Sequence, residues 1–246
     1  MSAHEMNHAT PRLPAPLFVT GTDTGVGKTV VSLLLMRALF RRGMVPFYAK
    51  PMQTGCRDPY DTDSDAAFVY RHVPELAERD PAEAVGWCFR APKAPLHAAR
   101  DERNGVETED LMRRLAILRA THACLVLEGA GGLMVPFTAD ALCVDCIRAA
   151  DARPVLVARD GLGTVNHTLL SVEAMTRRGV TPAGIVFVAS GKRPTPSDLV
   201  HDNMEAVAML SGISVSGIVP PILDFHAPPE AALTVADAVI DAALGL

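Results

Sequence analysis

The stretch "FVTGTDTGVGKTVVSLLLMRAL", residues 18–39, decides how the rest of the chain is read. Gly27, Lys28 and Thr29 close it like a phosphate-binding loop and run directly into an apolar, helix-like segment. The usual loop puts four residues between its first glycine and the Gly-Lys pair. Here five residues separate Gly21 from Gly27, and Thr22 stands where the first glycine belongs. A plain glycine-rich turn is the simpler reading, but a Gly-Lys-Thr tripeptide between a strand and a helix favours a phosphate cradle. Backbone N–H groups around Gly25, Val26 and Gly27 can surround a phosphate chain, aided by the positive end of the helix. Lys28 can neutralise the β- and γ-phosphates, and the Thr29 hydroxyl is placed to ligate Mg²⁺.

Outward from the loop, continuous apolar runs alternate with amphipathic ones. Strands are predicted near residues 17–20, 45–49, 124–127, 155–158, 184–188 and 214–219. Helices are predicted at 28–42, 63–72, 108–121, 142–150, 164–178, 197–211 and 230–243. Uninterrupted apolar strands suit a parallel sheet covered on both faces. The βα alternation predicts a doubly wound, mainly parallel α/β domain of the P-loop NTPase type. Residues 1–15 read as a mobile tail whose His4 and His8 have no partner in sequence, and residues 16–246 as one domain. In such a sheet ligands bind beyond the carboxyl ends of the strands, so a site residue should follow a strand.

Composition narrows the classes. With 49% apolar and 21% charged residues the chain reads as an ordinary globular protein. A formal net charge of −5 argues against a general nucleic-acid binder. No apolar core follows a basic start at the N-terminus, and the apolar run after Lys28 is broken by Arg37, Arg41 and Arg42, too soon to span a bilayer. A cytoplasmic location with no membrane contact is the expectation. Five cysteines, an odd number, do not read as a disulfide framework. Cys143 and Cys146, in "DALCVDCIRAAD", read as two small apolar residues on one buried helix face.

Two further segments follow a strand directly, and a third carries an acidic triplet. In "ACLVLEGAGGL" a carboxylate, Glu128, follows an apolar strand and precedes Gly129, Gly131 and Gly132, where backbone can approach a ligand closely. In "DPYDTDSDAAF" Asp61, Asp63 and Asp65 begin like a calcium loop, but the sixth and twelfth positions are Ala66 and His72 rather than Gly and Glu. They read either as helix-start carboxylates or, for Asp65, as a partner of Thr29 and Glu128 around Mg²⁺. In "YAKPMQTG" Pro51 biases Lys50 towards an extended conformation, which is expected to keep the lysine at the strand end, able to hold an anion.

Taken together, "GTDTGVGKT", "KPMQTG", "DSDA", "LVLEGAGGLMVP" and "GLGTVNHTLLSVEA" resemble the dethiobiotin synthetase family in order and spacing, over roughly residues 17 to 223. The five-residue spacing resembles that family's own variant loop. The resemblance implies an ATP-dependent ring closure in biotin synthesis. 7,8-Diaminopelargonic acid and CO₂ give a carbamate, ATP phosphorylates it to a carbamic-phosphoric anhydride, and the second amine closes the cyclic urea. It implies Lys28 and Lys50 as the catalytic cations and Thr29, Asp65 and Glu128 as Mg²⁺ ligands. The nucleotide would be held by residues 25 to 30, Val30 included, by Asp65, Glu128, Gly129, Ala130 and Gly131, and on the base side by Val188, Ala189, Val219, Pro220 and Pro221. The substrate would meet Thr24, Lys50, Thr54 and Gly131, with Asn166 reaching its carboxyl tail across a homodimer interface. A helix start capped by Thr164 is the simpler reading of the Asn166 segment. Val188 departs from the family's usual Asn, so the resemblance implies ATP with other nucleoside triphosphates open. Pro95-Leu96-His97 departs from a Pro-His pair, in what reads as a loop. A partitioning-type ATPase switch would carry a further lysine early in the loop, where this chain has Thr22, Asp23 and Thr24.

Overall fold

The computed structural model describes residues 12–189 and 194–246; His4 and His8 lie outside them. The described residues form seven strands and eight α-helices. These are β1 (Leu17–Gly21), α1 (Lys28–Arg41), β2 (Phe47–Thr54), α2 (Asp65–His72), β3 (Val85–Phe89), α3 (Pro95–Asp101), α4 (Thr108–Thr121), β4 (Leu125–Gly132), α5 (Cys143–Ala149), β5 (Arg153–Arg159), α6 (Thr164–Thr176), β6 (Gly184–Val188), α7 (Ser197–Ser211), β7 (Val215–Val219) and α8 (Glu230–Leu244). The strands run in the order β3-β2-β4-β1-β5-β6-β7, and every pairing is parallel.

The apolar runs are continuous because both faces of the sheet are covered. Leu17 and Val19 of β1 join Val126, Val155, Val157 and Val186 in one buried cluster with α1 and α8. Phe18 points the other way, with Leu125, Leu127, Leu156 and Phe187, into a second cluster shared with α4 and α5. Successive side chains on a strand face opposite sides, so each strand feeds both clusters. Across the first face Arg42 bridges to Asp237 at 2.8 Å and Asp241 at 2.6 Å, tying the end of α1 to α8. Cys143 and Cys146 are buried in the second cluster, as expected of small apolar residues.

Three elements differ from expectation. β3, "VGWCF", was not foreseen; it is a short edge strand with only its two ends buried, so no apolar run announces it. β2 runs on to Thr54, which places Lys50 inside the strand and not at its end. Its pairing with β4 stops at Ala49↔Leu127, so the missing N–H of Pro51 interrupts no ladder on that side. Pro95 opens a short helix, α3, where a loop was expected, as a proline at the first helical position can. No described helix is long and apolar enough to cross a membrane.

Candidate active site

The loop after the central strand β1 is held from both sides. Thr22 N donates to Val157 O of β5 at 2.9 Å. Gly21 has no space for a side chain: a Cβ there would lie 2.7 Å from Val26 Cγ2 and 2.9 Å from Asp23 O. Gly27 caps α1 in the left-handed region, φ 98°, and a Cβ on it would meet Val188 Cγ1 at 2.9 Å. Lys28, the first residue of α1, turns its amine back into the loop and donates to Asp23 O at 2.9 Å. Burial lowers its pKa, and the neighbouring Lys50 charge lowers it further.

Two strands, β2 and β4, and two helix starts then bring a charged cluster together. Thr29 Oγ1 lies 2.7 Å from Asp65 Oδ1 and 2.9 Å from Glu128 Oε1. Lys50 Nζ lies 2.6 Å from Asp65 Oδ2, 2.8 Å from Glu128 Oε1 and 3.0 Å from Gly129 O. Burial alone would lower the Lys50 pKa, but the charges of Asp65 and then Glu128 raise it, so the ammonium is fixed. Asp65 is the mirror image: burial raises its pKa, and the attraction of Lys50 outweighs this and holds it below the ordinary value. Of the acidic triplet only Asp65 enters the cluster. Asp61 instead shapes the preceding turn by accepting from Arg57 N and Asp63 N.

Two residues of the cluster carried no signal of their own in the sequence. Tyr48 OH donates to Glu128 Oε2 at 3.0 Å, and Gln53 Oε1 accepts from Asp65 N at 3.1 Å. Tyr48 precedes Lys50 by two positions on the same strand face, which is the one hint the sequence held. The set fits a hard divalent cation. A hydroxyl and two carboxylates, all oxygen donors, converge within hydrogen-bond reach, as Mg²⁺ prefers.

These groups line a cavity of about 490 Å³ that also takes in Thr24, Gly25, Gly27, Lys28, Val30, Thr54, Ala130 and Gly131. It lies towards the carboxyl ends of β1, β2 and β4, the edge at which such sheets bind ligands.

A family model described as an AAA domain matches residues 15–229. The ATP-dependent dethiobiotin synthetase BioD of Anaeromyxobacter sp. is 44% identical over 182 residues, 74% of this chain and 79% of that protein. The enzyme of the same name from Bacillus licheniformis is 34% identical, over 84% of this chain and 86% of that one. The chain belongs to the dethiobiotin synthetase family. Solved structures share its fold at lower identity. A putative plasmid partition protein from Borrelia burgdorferi bound to AMPPNP has a TM-score of 0.57 at 11% identity, covering 95% of this chain and 99% of that one. The MinD cell division protein of Aquifex aeolicus gives 0.51 at 13%, covering 94% and 95%.

Set against the residues that resemblance to dethiobiotin synthetases implied, the placement is uneven. Val26 is buried beneath the loop, and Gly129 reaches the cluster through its carbonyl alone. Ala189, Pro220 and Pro221 line a second, more apolar cavity of about 540 Å³, formed with Pro194, His201, Met204 and Ile218. Val219 is buried behind it and accepts from Ala189 N at 3.0 Å, while Val188 packs on Gly27 instead of facing this cavity. Asn166 lies exposed on the first turn of α6, outside both cavities. That helix is capped by Gly163 at φ 85°; Thr164 is its buried first residue and supplies no cap, contrary to the simpler reading.

Proposed function

We propose that the chain catalyses the ATP-dependent closure of 7,8-diaminopelargonic acid and CO₂ to dethiobiotin. The observation that carries this is the meeting of Lys28 and Lys50 on one cavity with the Thr29–Asp65–Glu128 oxygen set. A carbamate attacking a nucleotide phosphate brings two anions together, so catalysis rests on positioning and on fixed positive charge between them. Lys50, held protonated, suits the carbamate, and Lys28, inside the phosphate loop, suits the transferred phosphoryl group. The second amine then attacks the carbamic carbon and phosphate leaves. No side chain need act as a nucleophile. Mg²⁺ held by Thr29, Asp65 and Glu128 would neutralise charge on the β- and γ-phosphates.

Thr24, Thr54 and Gly131 line the same cavity, which supports assigning them to the diamine. The base is assigned to the apolar cavity beside Pro220 and Pro221. ATP is the co-substrate of this reading, with other nucleoside triphosphates admissible, since Val188 offers no amide to the base. Cytoplasmic location and a homodimer belong to the same proposal. The dimer is supported by Met134 and Leu170, half-exposed apolar residues that line a groove with His167, next to Asn166. The fold shared with partitioning proteins carries no activity with it, and Thr22, Asp23 and Thr24 lack the lysine of that class.

The test is mass-spectrometric detection of dethiobiotin after incubation with the diamine, bicarbonate, Mg²⁺ and ATP. Product formed in step with ADP is expected. Absence of product with ATP, CTP and GTP alike would overturn the reading.

A further inference from the structure

We propose that Cys56 and Cys88 are an oxidisable pair that closes an intrachain disulfide beside the catalytic cavity. Their sulfurs lie 3.2 Å apart. The pair sits where β2 and β3 end side by side, with Gln53 in register with Cys88 and Thr54 with Phe89. Past the end of β2 the chain turns at Gly55, φ 83°, and both Gly55 N and Cys56 N point to Phe89 O, at 2.9 and 3.4 Å. The backbone thus holds the two side chains facing each other. A disulfide needs sulfurs about 2.05 Å apart, so an approach of about 1 Å completes the bond.

The remaining cysteines do not compete. Cys124, Cys143 and Cys146 are buried in the two cores, and burial pushes the thiols of Cys124 and Cys143 up to about 12 and about 11. In contrast, Cys88 is partly exposed, and its contact with the Cys56 sulfur lowers its pKa while that of Cys56 rises. Cys88 is therefore the sulfur that reacts first. Its thiolate attacks a low-molecular-weight disulfide and expels one thiol. Cys56 loses its proton to solvent, attacks the Cys88 sulfur and expels the second thiol, so that one protein dithiol and one small disulfide become one protein disulfide and two small thiols.

The bond would anchor the segment that leaves β2 after Thr54 and returns at Asp65, since Cys56 stands at its root. Arg57, next to the pair and exposed, reports on that segment.

The experiment treats the full-length protein with oxidised glutathione and follows intact mass, free thiols and tryptic peptides, with Cys56→Ser and Cys88→Ser alongside. Expected are a loss of two hydrogens without an adduct, a fall from five free thiols to three, a peptide linking 56 to 88, and several-fold slower tryptic cleavage after Arg57. Neither serine variant forms the link or gains protection. Five thiols remaining, a stable glutathione adduct on Cys88 with Cys56 still free, or a link through Cys143 or Cys146 would each overturn the proposal. These readouts do not depend on turnover, so the assignment of the ring-closing reaction stands or falls separately.

Discussion

Lys50 Nζ lies 2.8 Å from Glu128 Oε1, with side-chain exposures of 4% and 0%. Neither side chain can turn to water, so both must be met by partners inside the protein. Desolvating an ion costs several kcal/mol, and only close, multiply hydrogen-bonded partners offset it. Asp65, Gly129 O, Tyr48 and Thr29 supply those partners. A buried cation with fixed position and charge suits the holding of a transient anion.

Replacing Lys50 with Gln is therefore expected to lower the single-turnover rate by about 10² to 10³, the usual effect of losing one preorganised electrostatic contact. Nucleotide affinity by calorimetry should change only a few-fold. The variant also leaves Glu128 without its cation, which costs about 3–5 kcal/mol of stability. Lys50→Gln combined with Glu128→Gln should recover most of that loss in urea denaturation without recovering activity. A near-normal rate for the single variant would remove Lys50 from the reaction.

Glu128→Gln keeps the shape of the cluster but replaces an anionic oxygen with an amide. The Mg²⁺ concentration that gives half-maximal activity should rise by at least about tenfold. An unchanged metal titration would show that Glu128 supports Lys50 and does not ligate the metal.

Asp65 carries an acid-side signature. Its carboxyl ionises below the ordinary 3.8, because Lys50 overrides the effect of burial. Below that value the unfolded chain takes up the proton before the folded one, so the stability Asp65 contributes is present above 3.8 and is lost as pH falls through the lower native value. Urea midpoints measured from neutral pH downwards should fall more steeply for the parent than for Asp65→Asn. Parallel curves would contradict the pairing with Lys50.

Two glycines of the loop separate backbone strain from contact. Gly25 has φ 72° and open space around its Cβ position, whereas Gly27 has φ 98° and Val188 at 2.9 Å. Gly25→Ala should cost about 1–2 kcal/mol, the penalty of a left-handed L-residue. Gly27→Ala should cost more, with Val188→Ala recovering only the excess. Thermal unfolding of the three variants and the double variant measures both parts.

Asn166→Ala should raise the apparent KM for the diamine several-fold with little change in kcat. It should do so only if a second chain brings Asn166 to the substrate, because within one chain it lies outside the cavity. An unchanged KM would count against the carboxyl-tail role.

The parts of the fold that were legible in sequence are those whose physics is local. Apolar runs such as 124–127 and 184–188 announced strands buried on both faces, and the Gly-Lys-Thr junction announced the start of α1. β3 escaped because an edge strand with a partly exposed Gly86, Trp87 and Cys88 has no such run. The end of β2 was misjudged because Pro51 suggested a stop that the local loss of pairing with β4 made unnecessary. In the site, Lys28, Thr29, Lys50, Asp65 and Glu128 stood in motifs. Tyr48 matters because the pairing of β2 with β4 sets it beside Glu128, and Gln53 because the chain after β2 returns to it at Asp65; neither contact is written in the local sequence.

The contact between Val188 and Gly27 joins two tasks that would otherwise be independent. The end of β6 leads to the apolar cavity proposed above for the base, while Gly27, at φ 98°, joins the proposed phosphate loop to α1. Any change of side chain at 188 that alters its bulk also presses on, or releases, the turn at Gly27. If the proposed base and phosphate sites hold, substitutions at 188 should therefore be read out twice, once in nucleotide preference and once in turnover.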